Sequence, residues 1–277
     1  MIVQHNMTAA NTNRQLGITT GNLAKSSEKL SSGYRINRAG DDAAGLSISE
    51  KMRGQIRGLD QASTNAQDGI SLIQTAEGAL NEVQSVLQRM RELTVQAAND
   101  TNVTADRQAI AKEVHALTSE IDRIALQTEF NTMKLLSGGI AGKSLQVGAN
   151  AKQLITFNIG NMSATRLGVN SAAIAGVISS ATVGTAVTGL ISLVNTAITT
   201  VSTERSSLGA LQNRLEHTIA NADNTSENLQ AAESRIRDVD MAKEMVSYSK
   251  DNILQQAAQA MLSQANQSTQ GVLSLLR

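Results

Sequence analysis

A chain of 277 residues carries 24 basic and 24 acidic side chains, so its formal net charge is zero, and it has no proline, cysteine or tryptophan. Ordinary usage would place about 14 prolines in such a length, so their absence favours long uninterrupted helices. Balanced charge without a basic run, and Tyr34, Phe130, Phe157 and Tyr248 as the whole aromatic set, argue against nucleic-acid binding and against a core built on rings, leaving Ala, Leu, Ile and Val to supply the buried surface.

The first segment, MIVQHNMTAANTNRQ, lacks a basic opening, an apolar block and a small-residue cleavage site, so no general secretory signal is expected. No run reaches the roughly 18 apolar residues of a membrane span, so no membrane contact is expected either. Ile2, Ala9, Leu16, Leu23 and Leu30 recur every seven residues and lay one thin stripe along a helix. With Asn, Thr, Ser and Gln around it, such a helix is marginal alone, and the segment is expected to lack order until a partner covers it.

The pattern breaks at GYRINRAGDDAAGLSISE, beginning at Gly33, where glycines permit turns. Two interleaved series follow: Leu59, Ala66, Ile73, Leu80 and Leu87, and Ala62, Gly69, Ala76, Val83, Met90 and Ala97. Together they predict a seam of coiled-coil spacing about 58 Å long. Ile56, Ile70, Leu72, Val86 and Leu93 lie off that seam, calling for further helices in the same bundle or for outside partners. NDTNVTADR from Asn99 reads as a turn with Thr104 as cap and Asp106 in the first helical turn. Ile110, Val114, Leu117, Ile121 and Ile124 then predict a helix folding back on the first.

Near Gly138 the period changes to two. Leu145 and Val147 in one arm, with Leu154 or Ile155, Phe157 and Ile159 in the other, predict a β-hairpin around Ala149 to Lys152. Residues 161–188, rich in Ala, Ser, Thr and Gly, are expected to form a short, weakly specified cap or loop. Val194, Val201, Leu208, Leu215, Ala222, Leu229 and Ile236 restore the heptad for about 65 Å of helix. Val239, Val246, Ile253 and Ala260 carry a further series; since Val239 also fits the earlier heptad, periodicity leaves open whether the helix breaks between them. The fold class expected is an all-α-dominated, elongated antiparallel bundle of long helices with a small β-hairpin and paired terminal helices. The terminal stripes could pair with one another and then with copies of the chain, building an open helical assembly if the rotation does not close.

Nothing points to an enzyme, a metal or a cofactor. His5, His115 and His217 are isolated, and no HExxH, CxxC, GxSxG or GxxxxGK[ST] pattern occurs. Asp238 to Asp240 is too sparse for a calcium loop and suits the start of a last helix. Asn161 to Ser163 matches a glycosylation pattern to which no role is assigned.

Several long segments in a fixed order carry a resemblance: LSSGYRINRAGDDAAGLSISEKMRGQIRGL from Leu30, TEFNTMKLL from Thr128, LQVGAN from Leu145, LGALQNRLEHTIANADNTSENLQAAESRIRD from Leu208, and ILQQAAQAMLSQANQSTQGVLSLLR from Ile253. The chain resembles the bacterial flagellins. By that resemblance residues 1–32 with 240–277 form the inner polymerisation domain and 33–56 a spoke. Residues 57–160 with 189–239 form the rod domain with its hairpin, and 161–188 a reduced outer region.

The resemblance implies a homopolymeric filament subunit for swimming, extracellular in the flagellum, exported unfolded through the flagellar channel and assembled at the tip. Its implied partners are other copies, an export chaperone and apparatus, and the filament cap and hook-junction proteins. Leu16, Leu23, Leu30, Val246, Ile253 and Ala260 would be buried on polymerisation, while Arg35, Arg38, Asp41 and Asp42 of the spoke would offer charge-assisted contacts to neighbouring subunits. LQRMRELTVQ from Leu87 matches the segment read by the animal Toll-like receptor for flagellin, with Gln88, Arg89, Leu93 and, on the adjoining helix, Glu113 in the matching places. The alternative is a hook-filament junction protein with similar terminal helices; a free coiled-coil adhesin is a third option.

Overall fold

A computed structural model describes residues 6–275, with side chains described through residue 268. Ile2 and His5 lie outside the described residues. The chain divides into two compact units, Met1–Ile56 with Glu227–Arg277, and Arg57–Ser226.

The elements, in chain order, are α1 (Met7–Ser32), α2 (Ala43–Ala97), α3 (Thr104–Gln127), β1 (Glu129–Phe130), β2 (Met133–Lys134), β3 (Lys143–Gln146), β4 (Leu154–Phe157), α4 (Ala175–Ser180), a short 3-10 turn (Gly184–Ala186), α5 (Thr188–Arg237) and α6 (Met241–Leu275). Helix therefore dominates, with two small antiparallel hairpins.

In the unit 57–226 the predicted seam is the core. Ala62, Ala66, Ile73, Ala76, Leu80, Val83, Leu87, Met90 and Ala97 of α2 are buried, as are Val114 and Ile121 of α3 and Val194, Val201, Leu208 and Leu215 of α5. Leu72 and Leu93 are buried in the same core, with Ile70 and Val86 packed against it, so these residues serve the bundle itself. Arg205 Nη1 donates to Gln84 Oε1 at 2.6 Å and Ser226 Oγ to Asp60 Oδ1 at 3.0 Å, which fixes α5 antiparallel to α2.

Three readings need correction. Thr104 is the first residue of α3 and Val103 its N-cap; the free Val103 N–H donates to the Asp106 carboxylate at 3.1 Å, so the cap works from the third residue backwards. Residues 161–188 are not weakly specified. Met162, Ala164, Leu167, Val169, Ile174, Ile178 and Val187 are buried, Met162 N–H bonds the Leu136 carbonyl at 2.9 Å, and Asp122 accepts from the Ala164 N–H at 2.9 Å. The apolar residues follow successive turns and so show no fixed period. Lastly, Gly184–Arg237 is long and apolar enough, by length and composition alone, to cross a membrane. The expectation from uninterrupted apolar runs missed it because Thr and Ser interleave with its Ile, Leu and Val. Val187, Leu190, Val194, Ala197 and Val201 from this stretch are buried in the protein core.

The hairpin β3–β4 pairs Leu145 with Ile155 and Lys143 with Phe157, and its inward residues are Ile155 and Phe157 while Leu154 is exposed. Asn65 of α2 holds it through a 3.1 Å bond to the Gln146 carbonyl. The β1–β2 hairpin has no alternating pattern to betray it; its two-residue turn places Asn131 at φ +46° and Thr132 at φ +63°, the geometry of primed turns.

Candidate functional site

In the unit formed by the chain's two ends, α1 and α6 pair antiparallel. Asn6 caps α1, accepting from the Ala9 N–H at 3.0 Å, and its amide donates to the Ala265 carbonyl at 3.0 Å. The segment expected to lack order is thus a helix here, and what covers it is α6.

The pairing uses one predicted stripe and not the other. Leu16, Leu23 and Leu30 are half-buried along the α6 side of α1. On α6 the half-buried or buried positions are Glu244, Ser247, Tyr248, Asp251, Asn252, Gln255, Ala258, Leu262 and Ala265. Val246 is 70% exposed and Ile253 67% exposed, and Ala260 is exposed with them. At 3.6 residues per turn these three stand on the opposite side of α6. The helix therefore offers its more polar face to α1 and leaves its apolar stripe bare, the reverse of ordinary amphipathic packing. Met7 and Ile18 of α1 are exposed as well.

Both helix breaks of this unit meet in one junction. Gly33 ends α1 in the left-handed region at φ +76°, its N–H on the Lys29 carbonyl at 2.9 Å. Its own carbonyl accepts from the Val239 N–H at 3.0 Å, and Arg35 N–H donates to the Arg237 carbonyl at 2.7 Å. Tyr34 and Asp238 form an isolated antiparallel bridge between them. Arg35 Nη2 reaches the Ile236 carbonyl at 2.6 Å. Arg237 lies 4.8 Å from the centroid of the Tyr34 ring and pairs with Glu50 at 2.6 Å. This bond and then Arg53 hold the Glu50 carboxyl below its ordinary value. Asp240 caps α6 through the Lys243 N–H at 3.1 Å.

The four spoke charges are all engaged within the chain. Asp41 accepts from the Arg38 and Asn37 N–H groups at 3.0 and 3.2 Å, and those bonds depress its pKa. Asp42 accepts from the Gly45 N–H at 2.8 Å, capping α2. Arg38 pairs with Glu28 at 2.9 Å, and Arg35 holds the Ile236 carbonyl as above. Short polar side chains next to turns satisfy local backbone groups first, which proximity in sequence makes cheap.

In the other unit, Arg89 donates to Glu113 at 2.9 Å and to Glu92 at 3.0 Å, and Glu92 first, then Glu113, raise its pKa. Gln88 is exposed beside it. Leu93 is only 2% exposed and belongs to the core. Arg89 and Leu93 share a side of α2, but that side turns from solvent into the seam between them, so Leu93 is no surface anchor in this fold.

Sequence reasoning passed over Arg107, Glu50 and Arg237. Arg107 is buried and donates to the Ala97, Thr182 and Asn99 carbonyls at 3.1, 3.0 and 3.2 Å and to Asp100 at 3.2 Å. Its signal was available: it stands three residues before Ile110 and seven before Val114, where the seam calls for an apolar side chain. Glu50 and Arg237 carry no such mark, since each looks like an ordinary charge on a long helix.

Comparison with known proteins adds to this geometry. Residues 3–141 match the bacterial flagellin N-terminal helical region, and residues 191–276 the bacterial flagellin C-terminal helical region. A flagellin of Halalkalibacterium halodurans is 57% identical over 277 residues, with all of both chains covered. The flagellar filament 33 kDa core protein of Treponema phagedenis is 51% identical over 287 residues, again with full coverage of both. A solved structure assigned as a flagellar hook-associated protein from Vibrio parahaemolyticus has a TM-score of 0.62, covering 72% of this chain and 100% of that one; at 14% identity the likeness is one of fold alone.

Proposed function

The chain belongs to the bacterial flagellin family, and on that premise we propose that it grows a filament by covering the bare stripe of α6 with other copies of itself. It is a structural subunit of the extracellular flagellar filament and not an enzyme. The observation that carries the mechanism is the outward stripe Val246, Ile253 and Ala260. Three apolar turns facing water beside a helix that buries polar groups call for an apolar partner. The α1–α6 pair buries little of its own: within the two helices, among the described residues, only Ser26 and Ala265 are fully buried. Most of its stability then comes from neighbours, which makes spontaneous growth slow and the finished filament firm.

In this reading residues 1–32 with 240–277 are the inner polymerisation layer, 33–56 the spoke, and 57–160 with 189–239 the rod layer that locks lateral neighbours. Subunits are exported unfolded, the bare face of α6 is shielded by an export chaperone until then, and addition occurs at the tip under the cap, extending a filament used for swimming. The full-length identity to a flagellin favours this over a hook-filament junction protein. Recognition of the monomer by the animal Toll-like receptor for flagellin uses the exposed Gln88, Arg89 and Glu113, with Leu93 acting from beneath. Hydrogen exchange on subunit and filament tests the mechanism. Amides of α1 and α6 exchange quickly in the subunit and are protected in the filament; equal protection in both states overturns it.

A further inference from the structure

The chain has no cysteine and no tryptophan, so methionine is its most readily oxidised side chain, and the nine methionines are not placed alike. Met90 and Met162 are buried in the unit 57–226. Met245 and Met261 are 50% and 60% exposed, and each stands one residue from the bare stripe, beside Val246 and Ala260. Met7 on α1 is 73% exposed, on the side away from α6.

The geometry points to Met245 and Met261 as modification sites through which peroxide controls assembly. This rests on the reading that other copies cover the α6 stripe. The thioether sulfur attacks one oxygen of hydrogen peroxide; the S–O bond forms as the O–O bond breaks, and hydroxide leaves and takes the proton as water. Sulfur gives up the two electrons that peroxide gains. The product sulfoxide is polar and chiral where an apolar, adaptable side chain stood, so it must be desolvated when a copy docks. A subunit caught before assembly is thereby kept out of the filament, whereas subunits already assembled have both sulfurs covered. Reduction of the sulfoxide returns the subunit to the pool.

The test treats purified subunits with hydrogen peroxide, locates sulfoxide by peptide mass spectrometry, and follows elongation on filament seeds. Met7, Met245 and Met261 oxidise ahead of Met90 and Met162, and elongation falls by roughly tenfold or more, the scale set by burying a polar group without a partner. A double variant, Met245→Leu with Met261→Leu, elongates after the same treatment, because the exchange conserves volume. Methionine sulfoxide reductase with a thiol reductant restores the oxidised wild type, and intact filaments keep both residues reduced. Oxidised wild type that elongates at the untreated rate overturns the proposal, as does a double variant inhibited as strongly as wild type. Untreated subunits that fail to elongate on seeds would instead count against the filament mechanism itself.

Discussion

The guanidinium of Arg237 lies 4.8 Å from the centroid of the Tyr34 ring, across more than two hundred residues of chain. That contact marks where two helix breaks are held in register. Arg237 is the last residue of α5, and Tyr34 follows the glycine that ends α1. Because the Gly33 carbonyl and Arg35 N–H bond Val239 and Arg237, the end of α1 and the start of α6 are set together. The helices α1 and α6 are therefore aligned by a junction of residues 33–35 with 236–239.

Acid should loosen that junction. Glu50 titrates below its ordinary value because Arg237, and then Arg53, favour the carboxylate. Its contribution is fully present above the ordinary glutamate pKa of 4.5 and is lost as the pH falls through the depressed value. Protection of the Val239 and Arg35 amides, measured from about pH 6 to about pH 3 across the carboxylate range, falls in wild type. Glu50→Gln starts lower and shows a flatter dependence.

Arg107 holds the α2–α3 turn to Thr182. Arg107→Met leaves the Ala97, Asn99 and Thr182 carbonyls without their donor, and orphaned groups at a buried site lower stability by about 2–4 kcal/mol in all. Urea unfolding followed by helical circular dichroism reads this as a lower midpoint with an unchanged slope.

Two glycines are set by backbone geometry. Gly33 sits at φ +76°, so Gly33→Ala should cost about 1–2 kcal/mol of α1 capping. At Gly184 a Cβ would run into the Ala98 carbonyl, and Gly184→Ala should cost about 1–3 kcal/mol by overpacking. Thermal melts of the two variants check both, with the Gly33 change also slowing seeded growth.

Much of this architecture is legible in the sequence where a single period governs a face. The heptads of α2 and α5 name most of their buried residues, since each seam is long and its partners lie in the same chain, whereas in α3 they find Ile110, Val114 and Ile121 but not Arg107, Ala111, Thr118 or Ala125. Periodicity alone does not show the break at 238–240, because Val239 keeps the period while long-range backbone bonds to Gly33 and Arg35 impose the turn; only the acidic pair Asp238 and Asp240 marks the start of a last helix, and Asp240 does cap α6. Residues 161–188 escape notice for the opposite reason: turns, not a period, bring their apolar side chains inward. The bare face of α6 is half legible. The sequence marks Val246, Ile253 and Ala260 as a stripe, but only the structure shows that α1 packs elsewhere and leaves it bare.

The same geometry separates two classes of substitution. Leu23→Asp strikes the contact between α1 and α6 and lowers the subunit's own helix content, by about the 1–3 kcal/mol of a charge placed at a half-buried contact. Ile253→Asp faces water in the subunit and leaves its circular dichroism and melting unchanged.

Seeded growth of the Ile253→Asp subunit, scored by electron microscopy beside wild type at equal concentration, tests the central claim most directly. Wild type extends the seeds while the variant, equally helical, fails to extend them, because the aspartate must be buried between copies. Extension of the seeds by Ile253→Asp at the wild-type rate would show that the bare stripe of α6 is not the assembly face.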